Sequence, residues 1–175
     1  MLTVDQMPAL KPIPVSKRGE RRRYLLLEDW KCELLGRGFT FIIPKGFIFD
    51  GASIPRLFWN MLSPSGYLFL AGLLHDFIYK YRFAYIYSVI DSLDGGEPRI
   101  IKHWFTQEAA DKSFEMLADA ICVGARFFTK AAYISLRGFG WMTWNKYRVI
   151  PDHSGEAISH NCRYIFFCNH LIPFI

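Results

Sequence analysis

The run Tyr67-Leu68-Phe69-Leu70-Ala71-Gly72-Leu73-Leu74 passes without a break into His75-Asp76-Phe77-Ile78-Tyr79. An apolar run of this kind reads as a helix entering the core, and it carries a His and an Asp into apolar surroundings. Ionisable groups there need partners or a metal. At helical spacing Tyr79 lies three positions from Asp76 and four from His75, so the polar groups crowd one side. The pattern predicts a helix running to Tyr81 or beyond. A later helix offers Asp111, inside Gln107-Glu108-Ala109-Ala110-Asp111-Lys112-Ser113-Phe114. A His base, an Asp to orient it and a second Asp free to hold a cation form a compact hydrolytic set. The competing reading is a core histidine satisfied by a neighbouring carboxylate, with no chemistry attached.

Upstream, the apolar period changes from helical to alternating. Trp30, Cys32 and Leu34 alternate with Lys31 and Glu33, Gly36-Arg37-Gly38 reads as a turn, and Phe39, Phe41 and Ile43 alternate again. Residues 28–43 are therefore predicted as a β-hairpin, followed by a short strand at Phe47-Ile48-Phe49. Downstream, Asp91 to Pro98 reads as an exposed loop and Thr106 as an N-cap. The helix it starts has Ala109, Ala110, Phe114, Leu117 and Ile121 on its apolar side. Another helix spans roughly Arg126 to Trp144. The expected architecture is α+β: an N-terminal antiparallel hairpin or sheet, then a helical part containing an antiparallel helix pair. Residues 1–20, with Pro8, Pro12 and Pro14, read as an extended arm, 21–148 as one compact domain and 149–175 as a tail.

A chain of 175 residues has the length of one domain and can bury a real core. Its four cysteines, Cys32, Cys122, Cys162 and Cys168, are too scattered for a disulfide framework, which fits a reducing compartment. There is no signal-peptide core near the N-terminus and no membrane-spanning apolar stretch, so neither secretion by a cleaved signal nor membrane insertion is expected. Much of the +5 formal charge sits in Lys17, Arg18, Arg21, Arg22 and Arg23. Such a run could meet lipid or nucleic-acid phosphates, but a charged strand edge that blocks sheet-to-sheet pairing is the preferred account. Nucleic acid is not an expected partner. In the tail, His160, Cys162, Cys168 and His170 lack the usual short Cys–Cys gap of a zinc site, so a packed or unstructured tail is expected instead. His103, beside Trp104, is read as structural.

A second motif stands before the His helix. In Asp50-Gly51-Ala52-Ser53 an Asp leaves a strand and meets a Gly, which can aim its carboxylate and nearby carbonyls at one cation. An ordinary turn capped by the Asp side chain explains the same residues.

The stretch DGASIPRLFW…GYLFLAGLLHDFIYKY resembles a family of short phage and prophage proteins of unassigned function. Its signature is an Asp-Gly-Ala-Ser-x-Pro loop, then His-Asp-x-x-Tyr, then an Ala-Asp-x-x-Phe helix, and the match covers roughly residues 28–145. A more distant similarity is to phospholipase A2 enzymes, which place His-Asp-x-x-Tyr on one helix and an Asp on an antiparallel partner. That similarity implies His75 as catalytic base, Asp111 as the residue orienting it and Tyr79 as support for Asp111. It also implies Asp76, Asp50 and the Gly51 carbonyl as calcium ligands. The chain departs from that pattern in a longer loop-to-His segment and a longer His75-to-Asp111 connection, which lets Asp91 or Asp94 compete for the Asp111 role. It also lacks the bracing disulfides.

The expectation is a phage-type, calcium-assisted ester hydrolase, with phospholipid as one substrate class and an anionic membrane surface as one partner. Its expected place is the host cytoplasm or the virion. The alternative is a non-enzymatic accessory or virion protein that binds a phage or host protein. A metal phosphohydrolase ranks third, because His103 is the one other His in the matched core.

Overall fold

The computed structural model describes residues 7–15, 23–33, 39–50, 68–88, 99–121, 124 and 126–149. Strands β1 (Leu10–Ile13), β2 (Arg23–Leu26), β3 (Trp30–Glu33), β4 (Phe39–Ile43) and β5 (Ile48–Phe49) come first. Helix α1 (Leu68–Tyr81), strands β6 (Phe83–Ser88) and β7 (Arg99–Trp104), and helices α2 (Gln107–Ile121) and α3 (Arg126–Val149) follow. Two antiparallel sheets form, in the orders β1-β2-β5 and β3-β4-β6-β7. The fold is α+β, with α1 and α2 packed as an antiparallel pair.

The hairpin follows from its alternation. In β3, Trp30 and Cys32 are buried while Lys31 and Glu33 face out, and Cys32 sits opposite Phe41 of β4. The Gly36-Arg37-Gly38 turn lies outside the described residues. Gly46 turns the chain between β4 and β5 at a φ of 87°, a conformation that suits a residue without Cβ. Its N–H donates to the Leu26 carbonyl, and the Leu26 N–H donates to the Phe47 carbonyl, which ties the turn to β2. Within the stretch read as an extended arm, residues 10–13 pair with β2.

Strands β6 and β7 escape the sequence reading, as β2 does. The chain does not continue the helix beyond Tyr81 but reverses at Arg82, whose φ of 65° is left-handed. The Arg82 N–H closes the last turn on the Ile78 carbonyl, and the Arg82 carbonyl accepts from Phe105. Strand β6 then pairs with both β4 and β7, making it interior to the sheet. The loop read at Asp91 to Pro98 is outside the described residues. Helix α3 continues to Val149, past the expected end at Trp144.

Helix α1 is buried on nearly all sides, from Leu68 through Tyr81, which explains its almost uninterrupted apolar run. Phe47 packs edge-on against Phe77 and Tyr81, joining the β5 strand region to α1. Helix α2 is amphipathic, with Ala110, Phe114, Leu117 and Ala118 inside. Thr106 caps it, its Oγ1 accepting from the Ala109 N–H at 3.1 Å. Among the described residues no helix is long and apolar enough to cross a membrane.

Candidate functional site

Helix α1 presents His75 to α2, and α2 answers with Asp111. The imidazole is 5% exposed and the carboxylate fully buried. His75 Nε2 lies 3.1 Å from Asp111 Oδ1. The same oxygen accepts from the Tyr79 hydroxyl at 2.5 Å, one helical turn along α1. Asp111 Oδ2 accepts from Arg137 Nη1 of α3 at 3.0 Å. An ionised carboxylate is an acceptor only, so the short contact requires His75 to carry its proton on Nε2 when neutral. The lone pair then sits on Nδ1, on the far side of the ring.

That far side faces Asp76, with Nδ1 3.8 Å from Oδ1. The gap is too long for a hydrogen bond and short enough for strong electrostatics. Tyr79 lies against the imidazole, ring centroids 3.9 Å apart, and Phe114 meets it edge-on at 5.6 Å. These walls fix the ring plane. Burial pulls the His75 pKa down, but the Asp111 hydrogen bond and the attraction of Asp76 outweigh it, and the imidazole ends up more basic than usual.

Asp76 is pushed up to about 7, first by burial and further by the charge of Asp50, against the opposing pull of His75. Asp50, at the exit of β5, therefore comes close to Asp76. Asp76 Oδ2 is buried with no hydrogen-bond partner among the described residues. Two neighbouring carboxylates, one with an orphaned oxygen, fit a hard divalent cation such as calcium as far as two ligands go. Gly51, the third expected ligand, lies outside the described residues. Among the described residues no group of three or more His, Cys, Asp or Glu is arranged around one metal position.

Asp91, Asp94 and the four tail residues His160, Cys162, Cys168 and His170 fall outside the described residues, and Asp111 is the carboxylate found on His75 Nε2. His103 packs its ring on Phe105, just past the end of β7, and burial lowers its pKa. Burial pushes the Cys32 thiol up to about 12, so it is unreactive as a nucleophile. A cleft of about 300 Å³ between residues 7–9 and 28–31 holds none of these groups.

The sequence reading missed Arg137, Gln107 and Gly140. Gln107 Nε2 is 3.4 Å from the Tyr79 hydroxyl. Gly140 is buried against the same hydroxyl, where a Cβ would overlap it. The signal lay in α3, where Arg137 and Gly140, three residues apart, share a face with Trp144. Trp144 meets the Tyr79 ring edge-on at 5.2 Å.

No curated protein and no solved structure matches the chain. One family model matches, over residues 24–133, a segment holding strands β3–β7, nearly all of β2, helices α1 and α2, and the His75–Asp111 pair. The chain belongs to the family described as Protein of unknown function (DUF1353).

Proposed function

We propose that this chain is an ester hydrolase of phage or prophage type, with a phospholipase A2-like His–Asp site assisted by calcium. One observation carries the reading: His75 is bonded through Nε2 to a fully buried Asp111, and its Nδ1 faces the Asp76–Asp50 side.

In this reading neutral His75 accepts a proton from water at Nδ1, and the water oxygen attacks the ester carbonyl. The Asp111 charge stabilises the imidazolium that forms, and Tyr79 holds Asp111 in place. The proton then passes from Nδ1 to the departing alkoxide, which completes the cycle. Asp76 and Asp50 would hold the calcium ion, which supplies positive charge to polarise the carbonyl.

The test is hydrolysis of phospholipid, lysophospholipid and a simple ester by purified protein, with calcium and with chelator, beside His75→Ala. Calcium-dependent turnover that the variant lacks supports the reading. Wild-type protein inactive toward all three sinks it.

A second reading is a non-enzymatic accessory protein that binds a phage or host partner. It is favoured by the outer face of α3, where Phe127, Ile134, Phe139, Trp141 and Met142 are exposed. Exposed apolar groups clustered on one helix mark interaction surfaces. The helix carries no acidic residue, which also suits an anionic membrane surface. Binding that survives in His75→Ala protein, without any hydrolysis by wild type, favours this reading.

A further inference from the structure

We propose that Arg137 is the positioning residue of this site, clamping Asp111 through Oδ2 so that Oδ1 stays aimed at His75 and Tyr79. The inference deepens the hydrolase reading, since the group being positioned is that reading's base.

Asp111 is fully buried, and the terminal torsion of an Asp is broad and nearly two-fold. Two donors on one oxygen do not prevent the carboxylate from swinging and exchanging its oxygens. A third donor on the other oxygen does. The 3.0 Å bond from Arg137 Nη1 to Oδ2 supplies that third point, and it comes from a different helix than His75 and Tyr79. Asp111 is thus held from α1 on one side and α3 on the other. The imidazole inherits this constraint: with Oδ1 fixed, Nε2–H has one direction to donate, and Nδ1 is turned toward Asp76.

The placement of Arg137 is built into α3. Arg137, Gly140 and Trp144 follow at i, i+3 and i+7, one face of a helix. Trp144 lies edge-on to Tyr79 at 5.2 Å. Gly140 leaves the space that the Tyr79 hydroxyl occupies, and any side chain there would drive the helices apart. All three lie beyond residue 133, where the family match ends, so the candidate site extends past the matched segment. Arg137 keeps 39% of its side chain exposed, so the guanidinium gives up little hydration to make the bond. Asp111, with no exposure, depends on it far more than Arg137 does.

The experiment reads the His75 imidazole directly by nitrogen-15 NMR of the full chain in chelator. His75→Gln assigns the signal. At a pH high enough to keep the imidazole neutral, wild type is expected to show a slowly exchanging, downfield Nε2–H proton and the Nε2–H tautomer alone. Arg137→Met should lose or broaden that proton and populate both tautomers, while Arg137→Lys restores it in part. Should Arg137→Met not fold, Arg137→Gln, which withdraws charge and reach at a partly exposed position, gives the same readout. A sharp, unshifted Nε2–H signal in the folded neutral variant overturns the proposal. On any ester that wild type hydrolyses, the neutral variant should lower kcat roughly 10- to 100-fold with KM unchanged. Equal kcat would also overturn it. If wild type hydrolyses nothing, the enzyme reading fails, and the imidazole signal still decides the role of Arg137.

Discussion

Gly140 of α3 is packed directly on the hydroxyl of Tyr79, the group that donates to Asp111. A Cβ at this position would overlap that oxygen, and the nearest relief is to move Tyr79 or the helix. Gly140→Ala is therefore expected to destabilise the protein by about 1–3 kcal/mol, the usual range for overpacking a filled interior. Gly138, two residues earlier in the same helix, has nothing within 4 Å of the place a Cβ would take. Gly138→Ala should stabilise by about 0.5–1 kcal/mol through helix propensity alone. Urea unfolding of the two variants checks the contrast, and equal stabilities would remove Gly140 from the site.

In the proposed hydrolase, His75→Ala should abolish turnover, because the imidazole is that reading's general base. Loss of a general base costs about 100- to 10,000-fold in rate. Asp111→Asn should lower the rate less, as His75 remains while its tautomer is no longer dictated. It should also lower the melting temperature, since Arg137 and Tyr79 both lose an ionised acceptor. Rates and melting curves on the same three proteins test this ordering. A melting loss in both variants with no activity in wild type would assign the cluster a structural role.

The carboxylates around His75 also fix a pH dependence. His75 is held more basic than its ordinary 6.5, the contacts with Asp111 and Asp76 outweighing burial. The neutral form that accepts a proton therefore gains population only at higher pH. In chelator, the His75 imidazole should titrate, by nitrogen-15 NMR, through a midpoint above 6.5. An imidazole already neutral at about pH 6 would mean that burial outweighs the two carboxylates.

The helix pair was legible in the sequence because its chemistry is local. His75, Asp76 and Tyr79 share one helix, and Thr106 marks the start of the next. The hairpin at 28–43 was legible for the same reason, through strict alternation. Strands β6 and β7 were not, because the aromatic run Phe83-Ala84-Tyr85-Ile86-Tyr87 follows α1 after a single left-handed residue, Arg82. Nothing in a helical pattern announces that reversal: Arg is neither Gly nor Asn, and the break is enforced by the Phe105 and Ile78 backbone bonds. Arg137 was illegible for a different reason. Its partner is 26 residues away, and only the packing of α3 on α2 brings them together.

Helices α2 and α3 are also joined by Glu115, which accepts from Lys112 at 2.6 Å and from Lys130 at 3.0 Å. Burial opposes ionisation of Glu115, but the two ammonium groups outweigh it and hold its pKa below the ordinary 4.5. A depressed carboxylate contributes stability that is present above about pH 4.5 and is lost as pH falls through the folded value. Glu115→Gln should therefore cost roughly 1 kcal/mol at neutral pH and nothing once the wild-type carboxylate is protonated. Denaturant melts of both proteins between about pH 2.5 and 7 test the convergence. Parallel curves over that range would mean that the pair adds no stability.

Asp76 has the opposite sign. Its pKa is pushed up to about 7 from an ordinary 3.8, by burial and by Asp50. The folded state thus favours the proton, and stability from this group is fully present below pH 3.8. It declines as pH rises and is gone above about 7, a loss of at most about 4 kcal/mol. His75, also raised, acts in the same direction, so the comparison has to be between wild type and Asp76→Asn rather than on the slope alone. In chelator, Asp76→Asn should gain stability relative to wild type as pH goes from about 5 to about 8. Calcium should reverse this for wild type, because a cation that binds the ionised pair stabilises the folded state by mass action. The wild-type gain from millimolar calcium should grow with pH over the same range, while Asp76→Asn and Asp50→Asn show little. Melting temperatures of the three proteins, with calcium and with chelator at each pH, measure every arm. A wild-type melting temperature indifferent to calcium at about pH 8 would leave Asp50 and Asp76 with a structural role only.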